Sequence, residues 1–425
     1  FALAAAMPEV HIMSRTKLTG FEQAADGVRA VARNLDTGEE VRIDCAYLVG
    51  CDGAHSEVRR AIGARLDGDA VVQRTQSSYI RAPDLIRRMQ AVPAWSTQSL
   101  NPRRSANMFA IDGRETWLIH NYLRADETGF DAVDRDRCIR LILGVGPEFE
   151  YRVINKEDWI GRRMVADRFR QGRVFICGDA AHIWVPFAGY GMNAGIADAM
   201  NLSWMLAGVL HGWADPAILV AHEAERLPIT EQVSRYAMNT AASLARARGE
   251  VPPAIEAVGT EGEAVRRAFG QRVYELNVRQ YCCGGLNFGY FYDRSPIIAY
   301  DGETAPAYTM DQFEPSTVPG CRTPHLWLRD GRSLYDAVGP GFTLLRLDRT
   351  VDVDPLMRAA ALRGVPMTLL DVGSDAAETL YCRAKLVLSR PDQHVAWRGS
   401  RLPADAGALI DLVRGAAISS GWELP

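Results

Sequence analysis

The sequence lacks the features that define several other classes of protein. No apolar run approaches the roughly 20 residues that a membrane-spanning helix needs. The net charge of −4 gives no electrostatic reason to bind nucleic acid or an anionic membrane. The 8 cysteines are scattered through 425 residues without a C-x-x-C pair, so they indicate neither a disulfide framework nor a zinc site. We therefore expect a cytoplasmic protein with free thiols, no metal, no nucleic-acid partner and no membrane contact.

What is present is an ordinary globular composition, 48% apolar and 24% charged, in a chain long enough for two or three domains. Apolar periodicity predicts strands at 10–14, 28–35, 41–45, 174–177, 343–347, 367–372 and 385–389, and a hairpin around Asp112-Gly113. It predicts helices after the N-cap Ser56, from Asn193 to Gly212, from 217 to 248 with a break at Pro228, and near the C-terminus. Residues 250–263 are rich in Pro, Gly and Glu and indicate an exposed loop. The pattern is that of an α/β protein.

The stretch RVFICGDAAHIWVPFAGYGMNAG begins with a buried strand that ends in Gly178-Asp179. A strand of this kind delivers its acidic residue to the carboxyl edge of a parallel sheet, where ligands of such sheets bind. A carboxylate there suits the hydroxyl groups of ribose or ribitol, because it accepts two hydrogen bonds in fixed geometry. An ordinary turn or helix cap at Asp179 is the alternative.

Further along the same stretch, Gly189 and Gly191 fit a loose G-x-G-x-x-A pattern. A dinucleotide-binding loop joins a strand to a helix within a few residues, whereas here Pro186 and a longer segment intervene. We therefore interpret the match to a pyrophosphate loop as coincidental. The glycines instead let the backbone approach a flat ligand, and the helix opening near Asn193 directs its unpaired N–H groups at that ligand.

Two segments together carry a family resemblance. Residues 173–206, RVFICGDAAHIWVPFAGYGMNAGIADAMNLSWML, resemble the second FAD-binding motif of the single-component flavoprotein aromatic hydroxylases, which share the para-hydroxybenzoate hydroxylase fold. Residues 47–63, YLVGCDGAHSEVRRAIG, resemble the Asp-Gly motif of that family. The tail LVLSRPDQHVAWRG is similar to the thioredoxin-like C-terminal domain of the phenol and polyketide hydroxylase branch.

The resemblance implies an FAD-binding parallel-sheet domain that is incomplete at its N-terminus, an inserted β-rich substrate domain and a C-terminal thioredoxin-like α/β domain. The predicted segments are 1–68 and 161–283 for the FAD-binding domain, 69–160 for the substrate domain, 284–312 for a connector and 313–425 for the thioredoxin-like domain. Because that last domain has no C-x-x-C pair, we expect it to be redox-inert.

The resemblance also implies roles for individual residues. Gly178 and Asp179 would bind the ribityl or pyrophosphate region of FAD, and Pro186 would lie beside the isoalloxazine ring. The backbone from Gly189 through Gly191, Met192 and Asn193 would contact the pyrimidine edge. The Asp-Gly motif would contribute Asp52, Gly53 and Arg59 near the flavin and the reduced nicotinamide.

For the substrate, the sheet around residues 107–122 would form the roof of the pocket, and Trp184 and Phe187 are candidates to line it, with core packing as the alternative. His182 suggests a general base, although a packed or supporting histidine is favoured. No residue is assigned as the catalytic base.

By resemblance, the protein is an NAD(P)H-dependent FAD monooxygenase of a phenolic or polyketide-like aromatic. NAD(P)H would reduce the flavin, oxygen would add at the flavin C4a atom, and the hydroperoxide would hydroxylate the ring. A related reductase or dehydrogenase that uses no oxygen, and a binding protein without flavin, are the alternatives. A homodimer is compatible with the sequence.

The family begins with a strand and a G-x-G-x-x-G loop that this sequence does not contain. We therefore expect that about a hundred or more residues precede Phe1 in the natural protein.

Overall fold

The computed structural model describes residues 1–89, 92, 94–186, 189–372 and 384–418. These residues form two compact units. The first unit comprises residues 1–66 and 166–182, and the second comprises residues 67–165 and those from 183 onward. The chain leaves the first unit after residue 66, returns to it at residue 166 and leaves it again after residue 182. The five segments predicted from the sequence, and the four boundaries between them, stay predictions.

The first unit contains two small sheets and two short helices, α1 (Ala2–Ala5) and α2 (Glu57–Ala61). One sheet is an antiparallel meander of β1 (Thr16–Gln23), β2 (Val28–Asn34) and β3 (Glu40–Cys45). In the other sheet, β11 (Val174–Ile176) lies between β4 (Leu48–Gly50), to which it is parallel, and β10 (Arg170–Gln171). All three residues of β11 are fully buried, which confirms the central strand predicted from its continuous apolar run.

The strand predicted at residues 10–14 is wrong. Pairing of β1 with β2 begins at Thr16, opposite Asn34, and residues 10–14 are exposed. Arg15 has a φ of +53°, a left-handed conformation that interrupts an extended chain. Apolar side chains at positions 10, 12 and 13 imitate a strand pattern, but these residues have no sheet face to cover.

The second unit is built around a six-stranded sheet in the order β12-β9-β5-β8-β7-β6. Its strands are β5 (Leu66–Arg81), β6 (Ser96–Ser99), β7 (Ala106–Ala110), β8 (Thr116–Tyr122), β9 (Arg152–Ala166) and β12 (His182–Trp184). Side chains that alternate along β8, Trp117 and Ile119, form a core with Ile139 of α4 (Arg135–Leu143). The short helix α3 (Leu85–Arg88) adds Leu85 to this core. The opposite face of the sheet is only half-buried.

The hairpin predicted around Asp112 is confirmed. Strands β7 and β8 pair on either side of the turn, with Ala110 opposite Trp117. The Asp112 carboxylate accepts hydrogen bonds from the backbone N–H groups of Arg114, Glu115 and Thr116. These bonds hold the pKa of Asp112 well below its ordinary value and account for this residue as a turn former.

Long helices follow the sheet in the second unit. They are α5 (Tyr190–Leu210), α6 (Val220–Gly249), α7 (Gly259–Tyr281) and the short α8 (Gly284–Phe288). Single-turn 3-10 helices lie at Pro216–Leu219 and Pro253–Glu256. No helix in the described ranges combines the length and the apolar character that crossing a bilayer requires.

Three helix predictions need correction. Helix α5 begins at Tyr190 rather than near Asn193, so Gly191 belongs to its first turn. Helix α6 continues through Pro228 without a break, because neighbours such as Ile229 and Val233 are buried in the core and this packing outweighs the missing backbone hydrogen bond. Helix α7 starts at Gly259, inside the predicted loop, because its residues Phe269 and Val273, one turn apart, pack on Val251.

The C-terminal part of the second unit has its own four-stranded sheet in the order β14-β13-β15-β16. Its elements are α9 (Leu334–Ala337), β13 (Phe342–Arg346), α10 (Asp354–Leu362), β14 (Met367–Asp371), β15 (Leu386–Ser389), β16 (Val395–Gly399) and α11 (Ala406–Val413). Strands β13 and β14 are parallel across α10, whereas β15 is antiparallel to both β13 and β16. The strands predicted here are confirmed to within a residue or two at each end.

Candidate functional site

In the first unit, the two sequence motifs follow the ends of paired parallel strands. The register places Gly50 at the end of β4 opposite Ile176 at the end of β11. Asp52 and Asp179 therefore both emerge at the carboxyl edge of this sheet, the edge at which parallel sheets bind ligands.

The Asp179 carboxylate is available to a ligand. Gly178 has a φ of +59°, which turns the chain directly after the strand, and residues 178–180 form one 3-10 turn. Asp179 is exposed, and among the described residues its side chain has no hydrogen-bond or ion-pair partner. A carboxylate held in this way on a rigid turn can accept two hydrogen bonds from ligand hydroxyl groups.

Asp52, by contrast, is engaged within the protein. Its Oδ2 accepts hydrogen bonds from the backbone N–H groups of Glu57, at 2.7 Å, and Val58, at 3.1 Å. Partial burial raises the pKa of Asp52, but hydrogen bonds from Ser56, Val58 and Glu57 outweigh it and hold this pKa below its ordinary value. Gly53 next to it has a φ of +78°, which the turn before α2 requires. The carboxylate therefore stabilises the N-terminus of α2.

Arg59 is the residue that links the two motifs. It is buried at 6% exposure, and its guanidinium donates to the carbonyl oxygens of Ala180, at 2.8 Å, and Ala54, at 2.9 Å. Burial, followed by the neighbouring charge of Arg60, lowers the pKa of Arg59. The side chain thus holds the turn after β4 against the turn after β11.

In the second unit, the predicted glycines mark the N-terminus of α5. Gly189 is the N-cap with a φ of +60°, and a Cβ placed on it would meet nothing within 4 Å. No described side chain caps this end of the 21-residue helix, and its first turn has no acidic residue. Met192 is 74% exposed, and Asn193 donates its Nδ2 to the Gly189 carbonyl at 3.0 Å. An open helix N-terminus of this kind favours a group with negative charge.

The residues between β12 and α5 have different environments. Trp184 is buried in a core cluster with Tyr190, Ile229 and Val233, which favours the packing alternative for this residue. Pro186 is exposed. Phe187 lies outside the described residues. Their predicted contacts with flavin and substrate stay predictions.

His182, the first residue of β12, is 1% exposed, and its ring lies 6.2 Å from that of Phe169. This burial favours the supporting role over that of a general base.

The half-buried face of the six-stranded sheet carries an aromatic group that the sequence analysis did not single out. The His120 ring lies 5.3 Å from the Phe109 ring and 5.8 Å from the Trp159 ring, measured between centroids. His120 is opposite Ser77 in the register of β8 with β5. Strict alternation along β8 places His120 on the face opposite the core residue Ile119. This alternation is visible in the sequence and could have identified His120 as a residue that faces away from the core.

A chain of hydrogen bonds connects Trp159, Ser77 and Nδ1 of His120. Trp159 Nε1–H donates to Ser77 Oγ at 2.7 Å, and Ser77 Oγ lies 2.8 Å from His120 Nδ1. Indole nitrogen can only donate, so the Ser77 hydroxyl accepts from Trp159. His120 Nδ1 is within reach of the remaining Ser77 proton, and accepting it favours the tautomer in which Nε2 carries the imidazole proton.

Burial lowers the pKa of His120 to about 4, so the ring is neutral near pH 7. A neutral imidazole with a fixed Nε2–H is a hydrogen-bond donor rather than a base. Surrounded by Phe109 and Trp159, it can orient an oxygen substituent on an aromatic ligand. No combination of His, Cys, Asp and Glu in the described ranges has the grouping of a metal centre.

The polar groups described above fit FAD. The flavin needs acceptors for its ribityl hydroxyls and a positive environment at its pyrimidine edge, and the described residues include a carboxylate on a rigid turn and an open helix N-terminus. Glycine at position 189, with free space where a Cβ would lie, permits close approach of a flat ring. The carboxylate of Asp179 belongs to the first unit, and the N-terminus of α5 belongs to the second.

Comparison with known proteins gives consistent matches. Residues 2–237 match the FAD binding domain family, and residues 316–416 match the aromatic-ring hydroxylase C-terminal family. Among characterised relatives, the tetracenomycin B2 monooxygenase-dioxygenase of Streptomyces olivaceus is 32% identical over 94% of this chain and 71% of the relative. The FAD-dependent monooxygenase apdD of Emericella nidulans is 29% identical over 92% of this chain and 66% of the relative.

Solved structures agree with these matches. The rebeccamycin biosynthetic enzyme RebC with bound 7-carboxy-K252c superposes with a TM-score of 0.83 at 36% identity, covering 95% of this chain and 74% of RebC. The flavin-dependent monooxygenase PieE in complex with FAD and substrate superposes with a TM-score of 0.76 at 27% identity, covering 95% of this chain and 75% of PieE. The chain therefore spans between 66% and 75% of the length of these proteins.

Proposed function

This chain belongs to the family of FAD-dependent aromatic-ring hydroxylases, and from that premise we propose that it hydroxylates a phenolic or polyketide-like aromatic substrate with NAD(P)H and O2. The observation that carries the proposal is the position of His120, which lies beside the rings of Phe109 and Trp159 on the half-buried sheet face with Ser77 Oγ 2.8 Å from its Nδ1. An aromatic ring with a hydroxyl group matches this combination of apolar surface and one oriented donor.

We propose that the residues holding FAD are those at the strand-end turns and at the helix N-terminus. Asp179 would accept hydrogen bonds from the ribityl hydroxyls, with Gly178 and Gly53 keeping the backbone free of side chains. Arg59 and Asp52 would hold the turns in place. The first turn of α5, from Gly189 to Asn193, would meet the pyrimidine edge. When bound, FAD supplies the transfer of electrons from NAD(P)H and the activation of oxygen.

The residues on the sheet would orient and activate the substrate ring. The phenol would lose its proton to solvent, and His120 Nε2–H would donate to the resulting phenolate oxygen and stabilise it, because a donor in a poorly hydrated site interacts strongly with negative charge. The phenolate form makes the ring carbon beside it more nucleophilic. Phe109 and Trp159 would exclude water from the ring faces. In this proposal His120 would keep its Nε2 proton, because Ser77 would donate to Nδ1.

We further propose that the C-terminal sheet and its helices form a thioredoxin-like domain without redox function. The support is the arrangement in which β13 and β14 run parallel across α10, β15 and β16 follow as an antiparallel pair, and α11 comes last. Cys321, near this domain, is buried, and burial raises the pKa of its thiol to about 11, which suppresses the reactive thiolate.

A cytoplasmic location is also a proposal. It is supported by Cys282 and Cys283, adjacent residues that both carry free thiols, because a reducing compartment preserves such a pair. A homodimer stays a prediction.

The test is a substrate screen with the FAD-loaded protein. Phenols and hydroxylated polycyclic aromatics are each assayed for NADH and NADPH oxidation, oxygen uptake and a product that has gained one oxygen atom. We expect at least one phenol to stimulate all three together. Stimulated NAD(P)H oxidation without oxygen uptake would establish the reductase alternative. A protein that binds no FAD and stays colourless would establish the binding-protein alternative.

A further inference from the structure

The buried face of the N-terminal half of α5 is held mainly by polar groups. Between Gly191 and Asn201, a segment that the structure describes throughout, the buried residues are Ala194, Asp198 and Asn201. The methyl group of Ala194 interlocks weakly with a neighbouring helix, because few apolar atoms make contact and no large side chain enters a groove. The position of this half of α5 therefore depends on what Asp198 and Asn201 contact.

Both of these polar residues are bound by α6. Arg226 Nε donates to Asp198 Oδ1 at 2.8 Å, and neither side chain is more than 1% exposed. Asn201 Nδ2 donates to Glu225 Oε2 at 2.5 Å, and Asn201 Oδ1 lies 2.9 Å from His222 Nδ1. Positions 198 and 201 are neighbours on one face of the helix. Their hydrogen bonds therefore oppose both rotation and sliding of α5.

Glu225 connects these contacts to the C-terminal sheet. Arg390, directly after β15, donates to Glu225 Oε1 through Nη1 at 2.5 Å and to Oε2 through Nη2 at 2.8 Å. Its Nε also donates to Asp392 Oδ1 at 3.0 Å. The guanidinium carbon of Arg390 lies 5.1 Å from the centre of the Trp204 ring, which belongs to α5. One arginine thus contacts α5 directly at Trp204 and, through Glu225, at Asn201.

The ion pair of Arg390 with Glu225 is fully buried, with both side chains at 0% exposure. Burial disfavours the charge of Arg390, but Asp392 and Glu225 outweigh it and hold the pKa of Arg390 above its ordinary value. A buried ion pair gains little beyond its own desolvation cost, and apolar residues of the same volume often stabilise a fold as well. What the charged pair adds is fixed geometry, because a guanidinium fork bonds a carboxylate in a defined orientation.

We propose that Arg390 is a positioning residue for the first turn of α5. Through Glu225 it fixes Asn201, and the helix carries that position over about 18 Å to its N-cap, Gly189. The proposal rests on the proposed function, in which this turn meets the pyrimidine edge of FAD. It gives the C-terminal sheet a role that requires no dithiol, which is to hold the helix end whose N–H groups face the flavin.

The position of this helix end should influence the reduction potential of bound FAD. Unpaired N–H groups at a helix N-terminus stabilise negative charge, and reduction increases the negative charge at the pyrimidine edge. A displaced helix end should therefore weaken the binding of reduced FAD more than that of oxidised FAD. The reduction potential then becomes more negative.

The first test is amide hydrogen exchange of the protein without FAD, measured by mass spectrometry. Arg390→Met keeps the apolar stem and removes the fork, so exchange in residues 194–201 should become about tenfold faster or more. Arg390→Lys keeps the charge but cannot bond two carboxylates as a fork, and it should produce a smaller increase in the same residues. If Arg390→Met does not fold, Arg390→Lys alone carries the comparison.

The matched control is Leu345→Ala. Leu345 is a fully buried residue of β13, and its core cluster shares no described residue with the contacts of Arg390. This substitution should also lower stability, because it leaves a cavity in the C-terminal sheet. Its faster exchange should be confined to that sheet, with residues 194–201 unchanged.

The second test is the reduction potential of the FAD-loaded protein, measured against a reference dye. Both Arg390 variants should lose preference for the reduced flavin, by about fivefold for Met, which corresponds to about 20 mV for a two-electron couple. Leu345→Ala should leave the potential unchanged. A residue that only stabilised the fold would not produce this difference between variants.

The proposal is overturned if residues 194–201 exchange equally in Arg390→Lys and Leu345→Ala. An unchanged reduction potential in the Arg390 variants overturns it as well. Hydrogen exchange needs neither FAD nor substrate, so its result is independent of the proposed function. Faster exchange in the Arg390 variants of a protein that hydroxylates no phenol would contradict the proposed function and leave the dependence of α5 on Arg390 intact.

Discussion

The guanidinium of Arg59 donates a hydrogen bond of 2.8 Å to the backbone carbonyl of Ala180, 121 residues further along the chain. Ala180 is fully buried, so its carbonyl has no access to water as a substitute donor. A single side chain thus joins the turn that follows β4 to the turn that carries Asp179. Part of any effect of Arg59 on cofactor binding should therefore come through the backbone.

Substitution of Arg59 tests this relationship. Arg59→Met keeps the apolar stem but removes both donors, and loss of these buried hydrogen bonds should lower the free energy of unfolding by about 2–4 kcal/mol. Urea denaturation of the apoprotein measures this. The exposed neighbour provides the control, because Arg60→Met should change stability by less than about 0.5 kcal/mol. Unchanged stability combined with lost FAD affinity would mean that Arg59 contacts the cofactor directly.

The free carboxylate of Asp179 predicts that its substitution weakens FAD binding and leaves stability unchanged, the reverse of the effect on stability expected for Arg59. Asp179→Asn should reduce FAD affinity by about tenfold, since an amide is a weaker acceptor than a carboxylate. Because Asp179 is exposed and has no partner among the described residues, unfolding should change by less than about 0.5 kcal/mol. Flavin fluorescence titration and urea denaturation give the two values. Asp44→Asn, an exposed position on β3, is the control and should alter neither.

His120 should act as a donor rather than a base. His120→Gln can present an N–H close to the position of Nε2, whereas His120→Phe cannot. We expect about a tenfold loss of kcat/KM for Phe and a loss within about threefold for Gln. In addition, ¹⁵N NMR of the imidazole should show the proton on Nε2, and Ser77→Ala should allow the other tautomer. A proton on Nδ1 in the unmodified protein would contradict the assignment.

The lowered pKa of His120 predicts a dependence of stability on pH. Its folded pKa of about 4 lies below its ordinary value of 6.5, so between these values the unfolded chain binds the proton and the folded chain does not. Stability should therefore decrease as pH falls from about 6.5 toward 4, by up to about 3 kcal/mol from this group. Unfolding free energies at pH 7 and pH 5 should differ less in His120→Gln than in the unmodified protein. An equal difference in both proteins would assign the effect to other groups.

Local features of the fold were predictable from the sequence because neighbouring residues determine them. The cap at Ser56 is confirmed, since its hydroxyl accepts from the Arg59 N–H at 2.8 Å. The turn at Asp112, the central strand β11 and the strands of the C-terminal sheet follow from side-chain chemistry and periodicity within a few residues. The family resemblance identified from residues 47–63 and 173–206 is confirmed as well.

Other features depended on packing that no local pattern contains. Pro228 predicts a break, yet buried neighbours keep α6 continuous. Glu225 and Arg390, separated by 165 residues, form a fully buried ion pair, although charged residues are expected at the surface. Each is stabilised only because the tertiary structure brings its partner to it.

The sequence by itself determined the central strand β11, the turn at Asp112, the cap at Ser56, the strands of the C-terminal sheet and the family that the motifs indicate, because these depend on residues close together in the chain. Only the tertiary structure decided which of the motif residues are free to bind. It engaged Asp52 at a helix end, buried Trp184 in the core, left Asp179 exposed, and aligned Ser77, His120 and Trp159 from three strands. Strand register and burial create these relationships, and both arise from contacts between distant parts of the chain.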